Sequence, residues 1–178
     1  PGDAAIYLAR FEDGAALIDS GCGEGHDRLV ENVCSCLDDR VEITHLLLTH
    51  CHYDHTGGAK AVRDRFGCQI VCHELDAPFL EKGDDEVTAA CWYGASIEPF
   101  SVDLKLRGSE EKIAVGDGEV FAYHCPGHSP GSVVFLVATE GKKVLFGQDI
   151  HGPLHSSLLS DREKYLNSLK FILGLNAD

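Results

Sequence analysis

Residues 46–58 read LLLTHCHYDHTGG. Three histidines and an aspartate, His50, His52, Asp54 and His55, fall within six positions directly after an apolar run. On an extended segment side chains alternate, so His50 and His52, two apart, point to the same side and can grip one ion. Asp54 and His55 follow where the chain turns. Thr56, Gly57 and Gly58 supply the small residues for a tight strand-to-helix turn. Imidazole and carboxylate donors together suit Zn, Fe or Mn. A solvated polar loop is the competing reading, but it does not account for H-x-H-x-D-H at the end of a buried strand. The stretch is therefore read as a metal site at the rim of a sheet.

The rest of the chain sets what kind of protein carries that site. At 178 residues, a single domain over residues 1–178 is expected, long enough to bury a core. Net charge is −14, from 15 basic and 29 acidic residues, and no Lys/Arg run interrupts the excess. Such a surface repels a polyanion, which argues against nucleic acid as a partner. No apolar run approaches the ~18 residues of a membrane span. The eight cysteines include no C-x-x-C pair, so a cysteine zinc ribbon is not expected. In a chain this rich in regular apolar segments they read as reduced thiols of a cytoplasmic protein. There is no methionine, even at position 1, so the sequence is expected to be trimmed from a longer translation product.

Periodicity fills in the frame. AAIYLARFEDGAALIDSG reads as two strands about an Asp13-Gly14 hairpin signal. Residues 27–38 place Leu29, Val33, Cys36 and Leu37 at helical spacing. VEITHLLLTH is a strand apolar enough for burial on both faces. GGAKAVRDRFG reads as a helix ended by Gly67, and CQIVCH as another strand. Residues 74–111 read as an irregular, partly helical excursion. From 112 onward KIAVGDG, EVFAYHC, SVVFLVAT and VLFGQD are strands. A loop over 150–160 leads into a helix. A Ser160/Glu163 capping box marks its start, and Leu166, Leu169 and Leu173, with Tyr165 and Ile172, form its apolar face. The alternation predicts an α/β protein whose sheets are covered by helices.

Other polar positions gather at strand ends. Asp19 closes ALIDSG, and Asp149 ends VLFGQD, where its carboxylate would lie at a sheet's rim. His128 stands in HCPGHSPGS, a loop stiffened by Pro126, Gly127, Pro130 and Gly131, which can hold a lone ligand still. His45 and His124 read as packing or hydrogen-bonding residues, and His26 and His73 as surface residues. Cys51, between two ligands, should point away from them by alternation. His151 and His155 follow Asp149 closely enough to face a substrate.

THCHYDHTGG resembles the T-H-x-H-x-D-H-x-G-G signature of the metallo-β-lactamase superfamily. ALIDSG, HCPGHSPGS and VLFGQD are similar to that family's other motifs, in its order, and the resemblance extends over residues 4 to 175. It implies a four-layer αββα sandwich with metals at one edge between the sheets. It implies one site from His50, His52 and His128, and a second from Asp54, His55 and Asp149 plus one more histidine. Asp149 would bridge the two and Asp19 would support the ligands from behind. The last histidine and a final strand are expected beyond Asp178, with the domain cut at both ends. The implied cofactor is zinc, two ions in the complete protein, with iron or manganese as alternatives. The implied activity is a metal-dependent hydrolase. A metal-bound hydroxide, oriented by Asp54, would cleave a carbonyl ester or thioester bond of a small molecule. The H-x-H-x-D-H order resembles the glyoxalase-II-like branch, which hydrolyses hydroxyacylglutathione. Lactonases share it, and an iron-dependent persulfide dioxygenase on the same fold is the competing reading.

Overall fold

The computed structural model describes residues 3–38, 40–147 and 149–178. Its strands form two sheets. The first runs in the order β1 (Tyr7–Arg10), β2 (Gly14–Ile18), β3 (Glu42–Leu47), β4 (Gln69–His73) and β5 (Leu104–Leu106). The β1–β2 pair is the antiparallel hairpin expected around Asp13 and Gly14, and the remaining pairs are parallel. The second sheet is antiparallel throughout: β6 (Glu110–Val115), β7 (Gly118–His124), β8 (Val133–Thr139) and β9 (Lys142–Phe146). Glu140 and Gly141, both at positive φ, make the two-residue turn between β8 and β9, the geometry that matches strand twist.

Strand alternation sorts the apolar residues into two layers. In β2, Ala15 and Leu17 join one buried cluster while Ala16 and Ile18 join the other. Around β3, Leu46 and Leu48 face the first cluster and Leu47 the second. The second cluster lies between the sheets, where Ile18, Leu47 and Val71 meet Val115, Val120 and Phe135. The first cluster packs the outer face of the first sheet under α1 (His26–Cys36), α3 (Ala59–Phe66) and α4 (Ala77–Lys82), through Val33, Val62 and Leu80. On the outer face of the second sheet α5 (Arg162–Gly174) is held by Ser168, whose hydroxyl donates to the Pro126 carbonyl at 2.7 Å. Phe171 of α5 tilts against Tyr123 at 5.6 Å between ring centroids. The layers are helix, sheet, sheet, helix, as the sequence resemblance implies. Among the described residues no helix is long and apolar enough to cross a membrane.

Three sequence expectations change. Residues 74–111 are more regular than expected. They contain α4, a 3₁₀ turn at Ala90–Tyr93, the edge strand β5 and the start of β6. Strand β5 has only three residues, too few for a period-2 pattern to register. The start of α5 is capped by Asp161, whose carboxylate accepts from the Glu163 and Lys164 amides. Ser160 instead donates to the His128 carbonyl at 2.7 Å. The buried face of α5 is Tyr165 and Ser168, with Leu169 and Ile172 half-buried, while Leu166 and Leu173 are exposed. Docking of Tyr165 against the Gly127 loop fixes the rotation of the helix. The same i, i+3, i+4, i+7 rule then selects a different stripe.

His73 is also not a surface residue. It is 2% exposed and stacks on His124 at 3.9 Å between ring centroids and 14° between planes. The stack joins the last residue of β4 to the last of β7, one from each sheet. Burial, with His124 beside it, pushes the His73 imidazole down to about 4. The unfolded chain therefore takes up this proton near pH 6.5 and the folded protein only near pH 4, so the contribution is lost as pH falls through that window. The expected result is that His73→Phe shows a shallower loss of stability between pH 6.5 and 4 than the parent, by about 2 kcal/mol at the acid end. Urea unfolding at a series of pH values measures it, and parallel pH profiles would rule it out.

Candidate metal centre

The site forms where chain segments leave the edges of the two sheets. Strand β3 ends at Leu47, the chain bends over Thr49–Cys51, and His50 and His52 come to the same side, as the sequence spacing predicts. His52 precedes α2 (Tyr53–Thr56), a single turn that carries Asp54 and His55. The glycines after it are needed for packing: a Cβ on Gly58 would lie 2.5 Å from the Ser20 carbonyl oxygen, and one on Gly57 2.7 Å from that of Cys22. His128 comes from the loop between β7 and β8, and Asp149 from the segment after β9.

These residues converge. Ring centroids lie 4.4 Å apart for His50 and His52, 4.1 Å for His50 and His55, 4.7 Å for His50 and His128, and 4.6 Å for His52 and His128. His50, His52 and His128 each offer a donor atom within 4.8 Å of the others, and so do His50, His55 and Asp149. Asp149 reaches both groups. One carboxylate oxygen is 3.5 Å from His55 Nε2 and the other 3.4 Å from His128 Nε2. Asp54 stands 3.7 Å from His55 Nε2. The sequence expected Asp54, His55 and Asp149 together. The structure adds His50 to that side, so His50 is shared between the two groups.

Three of the four rings, His50, His55 and His128, are held from behind. Asp19 accepts from the Thr49 amide at 2.8 Å, from the Thr49 hydroxyl and from His55 Nδ1 at 2.7 Å. That hydroxyl, its proton used on Asp19, receives His50 Nδ1 at 3.1 Å. His128 Nδ1 donates to the Pro153 carbonyl at 2.9 Å. All three rings thereby carry a proton on Nδ1, and Nε2 points into the cluster. The backbone of Asp19 sits at φ 60°, a strained conformation that costs of order 1–3 kcal/mol for a non-glycine residue. This strain is retained where one carboxylate ties the ends of β2 and β3 to α2.

A second carboxylate ties the ligand loops to each other. Asp76 is fully buried. One of its oxygens accepts from the Cys51 amide at 3.0 Å and the Ser129 hydroxyl at 2.6 Å; the other accepts from the Gly131 amide at 2.6 Å. It precedes α4 as a helix-capping aspartate would, yet makes no side-chain bond to that helix. Cys51 lies between His50 and His52, and Ser129 adjoins His128. Sequence reading missed Asp76 because it lies in the stretch read as irregular and its partners are 25, 53 and 55 residues away. It missed Tyr93 as well. That phenol lies beside Asp54, and burial together with the Asp54 carboxylate pushes it up.

The electrostatics favour a cation. Burial holds the His50 and His52 imidazoles well below their usual value. Burial would lower His55 too, but Asp19 outweighs it, with Asp149 and Asp54, and holds the ring up at about 10. Burial would raise Asp149, but the His128 and His55 rings hold it well below the usual carboxylate range. Burial lifts Asp54 above its ordinary value. The Nε2 atoms of His50, His52, His55 and His128 are buried without a hydrogen-bond partner. A buried polar atom left unpaired costs roughly 1–3 kcal/mol, so four aimed at one spot with three carboxylates nearby fit a divalent ion. Histidine and carboxylate donors without sulfur suit Zn, Fe or Mn.

The remaining sequence candidates separate cleanly. His124 Nε2 donates to the Pro130 carbonyl at 3.0 Å and His45 meets the Thr44 hydroxyl at 2.9 Å, both structural as expected. Cys51 faces the core cluster under the helices. His151 lines the cavity over the site, whereas His155 accepts from the Ser157 amide and caps a 3₁₀ turn. Asp19→Asn should leave the fold intact and weaken metal binding about 10–100-fold, the usual effect of losing a carboxylate behind a ligating histidine. Competition with a chelator would show it; unchanged affinity would remove Asp19 from the site.

Comparison with known proteins agrees with the geometry. The model of the metallo-beta-lactamase superfamily matches residues 1–178. A hydroxyacylglutathione hydrolase of Haemophilus influenzae is 36% identical over 140 residues, 78% of this chain and 62% of that protein. A probable metallo-hydrolase of Methanocaldococcus jannaschii is 30% identical over 95 residues, 53% of this chain and 45% of its own length. The chain thus spans about half the length of these curated relatives. Among solved structures, the native FEZ-1 metallo-beta-lactamase of Legionella gormanii superposes with a TM-score of 0.82 over 99% of this chain and 71% of that one, at 19% identity. At that identity the likeness is one of fold.

Proposed function

The chain belongs to the metallo-beta-lactamase superfamily, and from that premise we propose that it is a zinc-dependent hydrolase of a carbonyl ester or thioester bond in a small molecule. The observation that supports this best is the convergence of four unpartnered histidine nitrogens beside Asp149, with His52, His55, His128, Asp54 and Asp149 lining one cavity. His50, His52 and His128 would hold one ion, and His55, Asp149 and Asp54 a second. A divalent ion in such a site lowers the pKa of a coordinated water to about 7 and polarises the substrate carbonyl.

The chain's own residues supply the rest. Asp54, on the cavity wall and raised by burial, receives the proton of the attacking water at a carboxylate oxygen. The Tyr93 phenol keeps its own proton and orients that carboxylate. Asp19 and Thr49 keep the rings of His55 and His50 from rotating, and the Pro153 carbonyl does so for His128. No cysteine is needed as a nucleophile: burial and Asp3 push Cys22 up to about 12, and burial holds Cys51 well above the usual thiol value. The relative named a hydroxyacylglutathione hydrolase lends support to a thioester or ester bond. The reading includes a reducing, cytoplasmic compartment, in keeping with eight unpaired cysteines.

The test is metal analysis together with thioester, ester and lactone hydrolysis, and oxygen uptake with a glutathione persulfide. Zinc with hydrolysis supports the proposal. Iron with oxygen uptake and no hydrolysis would replace it with the dioxygenase reading.

A further inference from the structure

The cavity above the histidine cluster has a volume of about 550 Å³, large enough for a small-molecule ligand. Beyond the metal-binding floor its walls are chemically one-sided. Among the described residues no lysine or arginine lines it, and beyond the floor its ionisable lining includes Asp3 and His151. The whole chain carries a net charge of −14. A carboxylate on the remote part of a substrate would find no lysine or arginine among these wall residues to form a fork or an ion pair, and would meet Asp3 as a like charge.

The apolar part of the wall is aromatic and bare. Tyr7 and Phe146 tilt together at 5.3 Å between centroids. Trp92 stands edge-on to His155 at 5.5 Å, which braces the indole. Tyr7, Trp92 and Ile150 are 48%, 51% and 44% exposed, and all three line the cavity. Half-exposed aromatic and branched side chains at the mouth of a catalytic cavity offer apolar area that a ligand can cover. These residues come from the first strand, the 3₁₀ turn at Ala90–Tyr93 and the segment after β9, so the wall is assembled only by the tertiary fold.

We propose that the substrate presents an uncharged, apolar or aromatic group to the wall of Tyr7, Trp92, Phe146 and Ile150, and that the enzyme discriminates against carriers bearing carboxylates, such as the glutathionyl group. This rests on the hydrolase reading above and narrows it. Two thioesters of one acyl group separate the cases: S-acetylglutathione, whose carrier bears two carboxylates, and the acetyl thioester of benzyl mercaptan, whose carrier is neutral and aromatic. With the metal-loaded full-length protein, kcat/KM should favour the benzyl thioester about tenfold or more. Trp92→Ala and Tyr7→Ala should each raise KM for the benzyl thioester several-fold with kcat little changed, and leave the glutathione thioester unaffected. Ile150→Arg should lower KM for the glutathione thioester only. Preference of the wild type for S-acetylglutathione would overturn the inference.

Binding without turnover keeps this question apart from the hydrolase reading. Trp92 is the single tryptophan, so its fluorescence reports on the wall directly. Benzyl methyl sulfide should change that fluorescence saturably, and S-methylglutathione should not at tenfold higher concentration. If neither thioester is cleaved but this preference holds, the hydrolase reading fails while the character of the wall stands. If S-methylglutathione binds as well or better, the inference fails whatever the hydrolysis shows.

Discussion

Replacing His50 with alanine is expected to abolish hydrolysis, with a fall in kcat of about 10³-fold or more and a parallel loss of bound metal. His50 is fully buried and its donor atom belongs to both ligand groups, with His52 and His128 on one side and His55 and Asp149 on the other. No other histidine of the cluster is shared in this way. Its Nε2 lone pair serves one ion at a time, but its loss removes the ring that lies within reach of every other donor of both groups, whereas His52 is near those of one group alone. Metal polarisation contributes several kcal/mol to a hydrolytic transition state, and ~1.4 kcal/mol is tenfold in rate, which sets the size of the effect. Metal content by elemental analysis and turnover on the same sample measure it, with circular dichroism confirming the fold. Activity within tenfold of the parent would show that the histidine cluster is not the reaction centre.

The second large effect is expected at Asp76, which touches no ligand ring. Asp76→Ala leaves the Cys51 amide, the Ser129 hydroxyl and the Gly131 amide without their acceptor in a fully buried position. Each unsatisfied buried donor costs roughly 1–3 kcal/mol, partly relieved because Ser129 can turn to Ser132, 2.8 Å away. The expected loss is about 3–5 kcal/mol of unfolding free energy, a large share of the 5–15 kcal/mol typical of a domain. Asp76→Asn should cost about half as much. Its amide oxygen can replace the carboxylate oxygen that serves Cys51 and Ser129, but its NH₂ then faces the Gly131 amide. Because the same bonds join the His50–His52 segment to the His128 loop, metal affinity should fall with stability, about 10–100-fold. Urea unfolding with and without metal, plus chelator competition, reads both quantities. A loss below about 1 kcal/mol in the alanine variant would mean that water or a rearranged loop replaces the carboxylate.

Most of the candidate site was legible because its residues obey local rules. The i, i+2 spacing points to His50 and His52 on one side, and the structure brings them there through a bend rather than an extended strand. Small residues after His55 signal the tight turn, and the structure shows the backbone contacts that Gly57 and Gly58 permit. Asp19, His128 and Asp149 each follow an apolar strand or a proline-glycine loop, so strand ends could be located before any contact was known. The same kind of reasoning failed where a local signal had two uses. Ser160 looked like a helix cap, but Asp161 caps and Ser160 holds the His128 loop. Leu166 and Leu173 looked like a buried face, but the docking of Tyr165 turned the helix. His73 looked exposed in a polar context, and stacking across two sheets buried it.

The sequence by itself therefore determined the ligand types, their order and the strand ends that carry them, because these depend on spacing of a few residues and on backbone periodicity. Only the tertiary structure decided that His50 lies within reach of both donor groups, that Asp76 fastens the Cys51 and Ser129 segments, 25 and 53 residues from it in the chain, and that the described cavity wall is aromatic and without lysine or arginine. Those properties depend on which strand ends meet. That is set by the burial of two apolar clusters over the whole chain, and a hydrophobic driving force of that kind is non-directional and leaves no short-range mark in the sequence.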